Sequence, residues 1–183
     1  MPRPRARPKR ATKRASSTGP IPRGYPTLVP YLAVQDGVAA LAFYEKAFGA
    51  KVLARETTPD GKLIHGRLRI GSSLLMLSDV FPGAGVAAPT SVGTTTATIH
   101  LYSKDVDALW DRAVAAGAKV TMPLENRYWG ERYGHLLDPF GHHWSLSMRV
   151  RMSPKEKAEK RREAEAAFAR GEHPGREPSD VDA

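Results

Sequence analysis

The chain has 183 residues, of which 41% are hydrophobic and 26% are charged; this is typical of one ordinary soluble domain with terminal extensions. The sequence contains no cysteine, which excludes disulfide scaffolds, thiolate metal sites and a cysteine nucleophile. No apolar stretch approaches the ~20 residues of a membrane-spanning helix, and the basic N-terminus lacks the apolar run of a secretory signal. We therefore expect a cytoplasmic protein without membrane contact.

The formal net charge of +9 comes from the N-terminus. Residues 1–23 hold eight Lys or Arg and no acid, residues 24–150 hold 12 basic and 11 acidic residues, and residues 151–183 hold eight of each. Recurrent proline without aliphatic periodicity in residues 1–23 predicts a disordered basic tail. Two interpretations stay open, a solvated tail or a segment that makes weak, non-specific contact with nucleic acid or another acidic partner.

A weak internal repeat organises residues 24–150, the predicted folded domain. The motif GAKV occurs at Gly49–Val52 and again 68 residues later at Gly117–Val120. Each copy follows a helical pattern that ends in glycine, and each helix follows a strand-like segment, LVPYLAV or TATIHLY. Two further strand patterns close each half, KLIHGRLRI and SLLMLS or ERYGHLL and HHWSLSM. The sequence therefore predicts an α+β fold of two βαβββ modules, residues 28–78 and 96–148.

Two segments lie outside these modules. Residues 79–95 are rich in Gly, Pro, Ala and Thr, which predicts a linker or lid without regular structure. In residues 151–183, Ser153 as N-cap and Glu156 three residues later predict a helix that ends at Gly171. Because its apolar side chains are mostly alanine, we expect a solvated helix, with a role in dimer or partner contact as the alternative.

The motifs PYLAVQD, FYEKAFGA, YWGERYG and DPFGHHW occur in this order over residues 25–150. This region resembles the vicinal oxygen chelate superfamily, in particular its small bacterial members similar to glyoxalase and bleomycin resistance proteins. Extradiol dioxygenases and fosfomycin-resistance enzymes belong to the same superfamily. The resemblance implies that both modules build one cupped mixed sheet and that the protein forms a homodimer. Related folds pair the modules either within one chain or across the dimer, and the sequence leaves both arrangements open. It also implies that any metal ligands lie on the first and fourth strands of each module.

The positions that correspond to the family's metal ligands follow from aligning the modules at an offset of 69 residues. They are Tyr31, Met76, His100 and Ser145. A divalent metal prefers several His or carboxylate donors, whereas this set offers a single imidazole. We therefore expect no metal and no other cofactor, although a divalent metal site completed by Glu125 or Glu131 stays open as the disfavoured alternative.

Strand alternation predicts which side chains of residues 62–70 face the cup. His65 and Arg67 should point inward, because the apolar side chains that suit the helix side are Ile64, Leu68 and Ile70. Arg67 is either a rim charge paired with Glu56 or an anchor for a ligand carboxylate or phosphate.

The predicted site is an amphipathic pocket with aromatic walls, typical of small-ligand sites. The aromatic loop at residues 124–131 either roofs the core or stacks on a planar ligand. His135 and His142 are expected to point outward or to lie in turns, and no catalytic residue is assigned. The predicted ligand-binding residues are Tyr31, His65, Arg67, Met76, His100, Tyr102, Trp129 and Ser145.

The sequence thus favours a metal-free protein that binds a small organic molecule, with sequestration of a toxic or antibiotic compound as the concrete form of this hypothesis. The alternative is a lyase, isomerase or dioxygenase that uses a divalent metal or a His/Arg acid–base pair. A third hypothesis is an interaction protein that its basic tail tethers to nucleic acid.

Overall fold

The computed structural model describes residues 19–172, so the predictions for residues 1–18 and 173–183 lie outside the described residues. The elements in chain order are β1 Tyr31–Val34, α1 Gly37–Phe48, β2 Lys51–Thr57, β3 Leu63–Ile70, β4 Ser73–Asp79, α2 Pro89–Val92, β5 Thr98–Tyr102, α3 Val106–Ala116, β6 Lys119–Arg127, β7 Glu131–Leu137, β8 His143–Arg149 and α4 Pro154–Ala169. Each half of this order is βαβββ, which confirms the predicted α+β fold.

Each module forms a four-stranded mixed sheet. The N-terminal sheet has the order β1-β4-β3-β2 and the C-terminal sheet the order β5-β8-β7-β6. The first and fourth strands of each module pair in parallel, and the other neighbours pair antiparallel. Tyr31 lies opposite Met76, and His100 lies opposite Ser145. The two modules are therefore equivalent at the positions that the offset of 69 residues aligned.

The two long helices of the modules begin and end in the same way. Asp36 and Asp105 are the N-caps, and each side chain accepts a hydrogen bond from the backbone N–H three residues later. Gly49 and Gly117 are the C-caps, with φ of 63° and 115°, a left-handed conformation that glycine adopts without steric cost. The repeated GAKV motif therefore marks the point where each helix turns back into a strand.

A single core joins the modules. Helices α1 and α3 pack against each other, and each also packs on its own sheet. The Phe48 ring contacts the Trp144 ring of the other module, with centroids 4.4 Å apart. Asp138 accepts hydrogen bonds from the Tyr44 hydroxyl at 2.8 Å and the Trp144 indole N–H at 2.9 Å. We call the face of each sheet turned away from α1 and α3 its open face.

At the start of strand β3 the structure corrects the prediction of which side chains face the helices. Leu63 is fully buried against Gly37, whereas Ile64 is 48% exposed, so Ile64 does not lie on the helix side. The pairing of β2 with β3 shifts register between Glu56 and Thr57, which accommodates one extra residue and interrupts the alternation. From His65 onward the predicted alternation holds, since Leu68 and Ile70 are buried.

Two predicted loops contain regular structure. The segment at residues 79–95 includes the short helix α2, which begins at a proline and ends at Gly93. Strand β6 continues to Arg127, so the aromatic loop shrinks to the turn at residues 128–130. The backbone N–H of Gly130 donates to the Arg127 carbonyl at 2.9 Å and closes this turn.

Helix α4 has the predicted start but is not fully solvated. Ser153 and Glu156 form the capping box. Ala164 and Ala167 are buried, at 8% and 9% exposure, so the helix docks on the domain through these small side chains. Within residues 19–172, no helix is both long and apolar enough to cross a membrane.

Candidate functional site

Polar and aromatic side chains cover the open face of the C-terminal sheet. Strands β5, β7 and β8 and the β6–β7 turn supply them, because every second residue of these strands points away from the helices. The side chains between them, such as Leu136 and Leu146, are fully buried in the core. We call this set the open-face cluster; its members are His100, Tyr102, Trp129, Glu131, Tyr133, His135, Ser145 and Ser147.

Glu131 is the hub of the open-face cluster. Its carboxylate accepts hydrogen bonds from the Tyr102 hydroxyl at 3.0 Å, the Trp129 indole N–H at 3.2 Å and the Ser147 hydroxyl at 2.9 Å. Burial opposes ionisation of Glu131, but the hydrogen bonds from Ser147, Tyr102 and Trp129 outweigh it and lower the pKa of this carboxyl. Glu131 is therefore a carboxylate that fixes three surrounding side chains.

The two histidines of the cluster have hydrogen-bonding partners beside them. His100 Nδ1 lies 2.7 Å from the Ser145 hydroxyl, and the His100 ring stacks on the Tyr133 ring at 5.9 Å. The Tyr133 hydroxyl lies 2.6 Å from His135 Nε2. Burial, then the neighbouring charges of His143, Arg127 and His100, lower the pKa of His135, so this imidazole is neutral at pH 7.

His135, to which the sequence analysis assigns no role, lies beside Tyr133 in the open-face cluster. Its ring lies 5.0 Å from that of Tyr133, on the open face. Gly134 and Leu136 face α3 and the core. Strict strand alternation therefore places His135, which lies between them, on the open face, and this is the sequence signal that could have identified it. His142 directly follows the turn that the Gly141 N–H closes on the Asp138 carbonyl, one of its two expected placements. It is buried, and its Nε2 lies 3.2 Å from the Ala33 carbonyl of the other module.

The open face of the N-terminal sheet carries a smaller group. The Tyr31 hydroxyl lies 3.5 Å from His65 Nδ1. The Arg67 guanidinium donates to the Tyr25 hydroxyl and lies 5.2 Å from the centre of the same ring. Among residues 19–172 the ion pairs include none between Arg67 and Glu56, so the partner of Arg67 is a tyrosine of the segment before β1.

The predicted residues fall into two groups instead of one cup. Side-chain hydrogen bonds and ring contacts join Tyr31 to His65 on one sheet. On the other sheet they join His100 to Tyr102 and Ser145. None of the contacts described for residues 19–172 links the two groups. A single chain therefore presents two open faces, whose predicted residues are Tyr31, His65, Arg67 and Met76 on the first and His100, Tyr102, Trp129 and Ser145 on the second.

The positions that would hold a metal do not offer a fitting set of donors. Opposite Tyr31, Met76 contributes a thioether, and the one imidazole, His100, is hydrogen-bonded to the neutral hydroxyl of Ser145. Divalent cations of the family type prefer several imidazoles or carboxylates. The described part of the chain contains no group of three His, Cys, Asp or Glu placed to hold a metal ion.

Two cavities adjoin the open faces. The larger, of about 460 Å³, lies between the β6–β7 hairpin and helix α4; its lining residues are Met122, Glu125, Asn126, Arg127, Tyr128, Trp129, Tyr133, His135, Lys160, Glu163, Ala164, Ala167 and Phe168. The smaller, of about 390 Å³, lies between the modules and is reached by His100. The larger cavity opens onto the cluster and has a volume in the usual range for small-molecule sites.

Comparison with known proteins identifies a family. The model described as "Glyoxalase/Bleomycin resistance protein/Dioxygenase superfamily" matches residues 26–146. A Mycobacterium tuberculosis protein designated Rv0887c is 52% identical over 129 residues, which cover 69% of this chain and 76% of that protein.

Solved structures show the same fold. TioX from Micromonospora sp. ML1 matches with a TM-score of 0.56 and 28% identity, over 67% of this chain and 98% of that chain. Protein PA1353 from Pseudomonas aeruginosa matches with a TM-score of 0.55 and 27% identity, over 68% and 98% of the respective chains. In each case the similarity covers nearly the whole of the other protein and about two thirds of this chain.

Proposed function

Because this chain belongs to the glyoxalase/bleomycin resistance protein/dioxygenase superfamily, we propose that it binds a small aromatic molecule at the open-face cluster of its C-terminal sheet and sequesters it. Bleomycin resistance proteins, named in the description of the family, are the members whose role this proposal resembles. Sequestration needs affinity and no bond-making chemistry, so it demands shape and stacking surface rather than a metal.

The observation that carries the proposal is the aromatic lining of the 460 Å³ cavity. Trp129 is 46% exposed there, although its indole N–H is fixed to Glu131 at 3.2 Å. Its ring also contacts Tyr133, with centroids 5.4 Å apart. A large aromatic face that is rigid and open to solvent is suited to stacking on a planar ligand.

Fluorescence titration and thermal unfolding test the proposal. A panel of planar aromatic compounds and metal-free bleomycin should contain a binder that quenches tryptophan emission and raises the melting temperature. Trp129→Ala should weaken that binder about fivefold, the equivalent of about 1 kcal/mol of lost stacking. Ile64→Ala removes an equally exposed apolar side chain from the other sheet and should leave the affinity unchanged. Equal affinity in both variants would overturn the proposal.

The absence of a resident metal is part of the same proposal and has its own measurement. Tag-free protein should carry well under one equivalent of Zn, Ni, Mn or Fe, because the donors at Tyr31, Met76, His100 and Ser145 suit none of them. Stoichiometric metal that disappears in His100→Ala would show that this part is wrong.

A second candidate, an enzyme that uses acid–base chemistry, has one observation in its favour. His135 is a partly buried neutral imidazole that contacts the Tyr133 hydroxyl at 2.6 Å, and neutral imidazole is the form that accepts a proton. Turnover of a bound compound by the wild type, lost in His135→Gln with binding retained, would favour this candidate over sequestration.

We also propose that the protein is a homodimer. In a dimer that stacks the open face of one protomer on that of its partner, the group at Tyr31, His65, Arg67 and Met76 would border the same ligand. Light scattering during gel filtration should then give twice the chain mass. Tyr31 is an exposed ring on the open face of the N-terminal sheet, so Tyr31→Ala should weaken binding as Trp129→Ala does. A mixture of the two variant chains should regain part of the affinity, since half of the sites in a mixed dimer are intact.

A further inference from the structure

Helix α4 lies outside the residues that match the family model, yet it forms one wall of the larger cavity. From the helix, the lining residues are Lys160, Glu163, Ala164, Ala167 and Phe168. The hairpin of β6 and β7 supplies the opposite wall. The cavity has its present shape because the chain continues beyond the family domain.

The start of α4 is fixed to the hairpin that carries the aromatic side chains. The backbone N–H of Val150 donates to the Gly130 carbonyl at 3.0 Å. Gly130 has φ of 90°, and a Cβ atom there would lie only 3.2 Å from the Lys157 ammonium. The side chain of Lys157 thus lies close to the turn. The capping box of Ser153 and Glu156 stabilises the first turn of the helix that carries Lys157.

The face that α4 turns toward the sheet leaves room for a ligand. Ala164 and Ala167 are buried one helical turn apart, and their methyl groups fill little of the space between helix and sheet. Phe168 at 53% exposure and Trp129 at 46% exposure both line the space that remains. A ligand that covers these two rings removes apolar surface from water, which favours binding.

The charges around the cavity balance each other. Arg127 and Lys160 are matched by Glu125 and Glu163 among the lining residues. Arg127 and Glu125 lie within ion-pair distance, with 3.6 Å between nitrogen and oxygen. The cavity therefore has no net formal charge with which to select a charged ligand.

We infer that helix α4 is the second wall of the ligand site and that the ligand is an uncharged, flat aromatic molecule. It lies between the aromatic side chains of the β6–β7 hairpin and the face of α4 that carries Ala164, Ala167 and Phe168. This inference rests on the proposed function and adds to it the chemical class of the ligand and the element that completes the site.

Calorimetric titration of the full chain with 2-naphthalenemethanol tests the inference. Ala164→Leu places three extra carbon atoms in the cavity, and Phe168→Ala removes one ring from its wall without disturbing a buried side chain. Each should weaken binding fivefold or more. Ala166→Leu makes the same change as the first variant on the exposed side of α4 and should leave the affinity within twofold of wild type. Thermal unfolding of each variant verifies the fold.

The outcomes separate the inference from the function on which it rests. If Trp129→Ala weakens binding but Ala164→Leu and Phe168→Ala do not, the role of α4 is wrong and the proposed function stands. If the wild type binds none of the naphthalene probes, both the role of α4 and the proposed function are wrong for this ligand class. If naphthalene-2-sulfonate or 2-naphthylmethylamine binds more than tenfold tighter than the alcohol, the assignment of an uncharged ligand is overturned.

Discussion

Asp138 offers the sharpest test of how the two modules are held together. The carboxylate is 3% exposed. One oxygen accepts from the backbone N–H groups of Phe140 and His142, each at 2.9 Å. The other accepts from Tyr44 of the first module and Trp144 of the second. Four donors thus converge on a residue that can donate nothing in return.

The substitution Asp138→Asn keeps the shape but reverses half of this pattern. The amide oxygen of asparagine satisfies two of the four donors, and its NH₂ group must face the other two. An unsatisfied buried donor costs roughly 1–3 kcal/mol, while the removal of a buried charge offsets part of the loss. We therefore expect the free energy of unfolding to fall by about 3 kcal/mol, which lowers the melting temperature by about 10 °C.

Urea denaturation followed by circular dichroism measures this loss. Asp107→Asn is the matched control, because Asp107 is a half-exposed carboxylate that pairs with Arg132 at 2.6 Å. Exposed ion pairs contribute little, so the control should lose less than about 1 kcal/mol. Equal losses in the two variants would show that the hydrogen bonds of Asp138 do not hold the modules together.

Three further predictions concern pH, the segment before β1 and the basic tail. Burial, followed by the Asp138 charge, raises the pKa of Tyr44 well above its usual value; the unfolded chain ionises at a lower pH, so stability should fall as pH rises past about 10, and more steeply in wild type than in Tyr44→Phe when urea midpoints are compared. Arg67→Met removes the partner of Tyr25 and should speed tryptic cleavage after Arg23 several-fold, whereas Arg69→Met, on the same strand but exposed, should not. Deletion of residues 1–20 removes seven of the eight N-terminal basic residues and should abolish most polyanion binding at low salt in a DNA-retention assay, with little change in melting temperature; unchanged retention would exclude the tail as the nucleic-acid contact.

The fold could be predicted because its determinants are local and occur twice. The N-caps Asp36 and Asp105 and the C-cap glycines Gly49 and Gly117 stand at equivalent places in both modules. A signal repeated in the same order is hard to obtain by chance. The errors arose where tertiary pairing overrides a local pattern, as at Ile64, where a register shift turns an apolar side chain outward.

The site was harder to predict than the fold, for two physical reasons. Strand alternation shows which side chains share a face, and it placed His100 and Ser145 together correctly. It does not show whether the two sheets of one chain face each other, so it cannot decide whether Tyr31 and His100 share a cup within one chain or only across a dimer. The alanines of α4 were also misleading, because a stripe of small residues looks solvated in sequence but can dock on a neighbouring surface.

The contacts within the open-face cluster favour the stacking of a ligand on its aromatic rings over acid–base catalysis by its polar groups. Glu131 already accepts three hydrogen bonds, and His100 already pairs with Ser145. A substrate that needed these groups as acid or base would first have to break contacts that the protein itself provides, and each broken contact costs free energy. A flat ligand that lies on Trp129 needs none of them broken. The same hydrogen bonds that occupy the polar groups hold the indole ring still, so they lower the entropy lost when a ligand stacks on it.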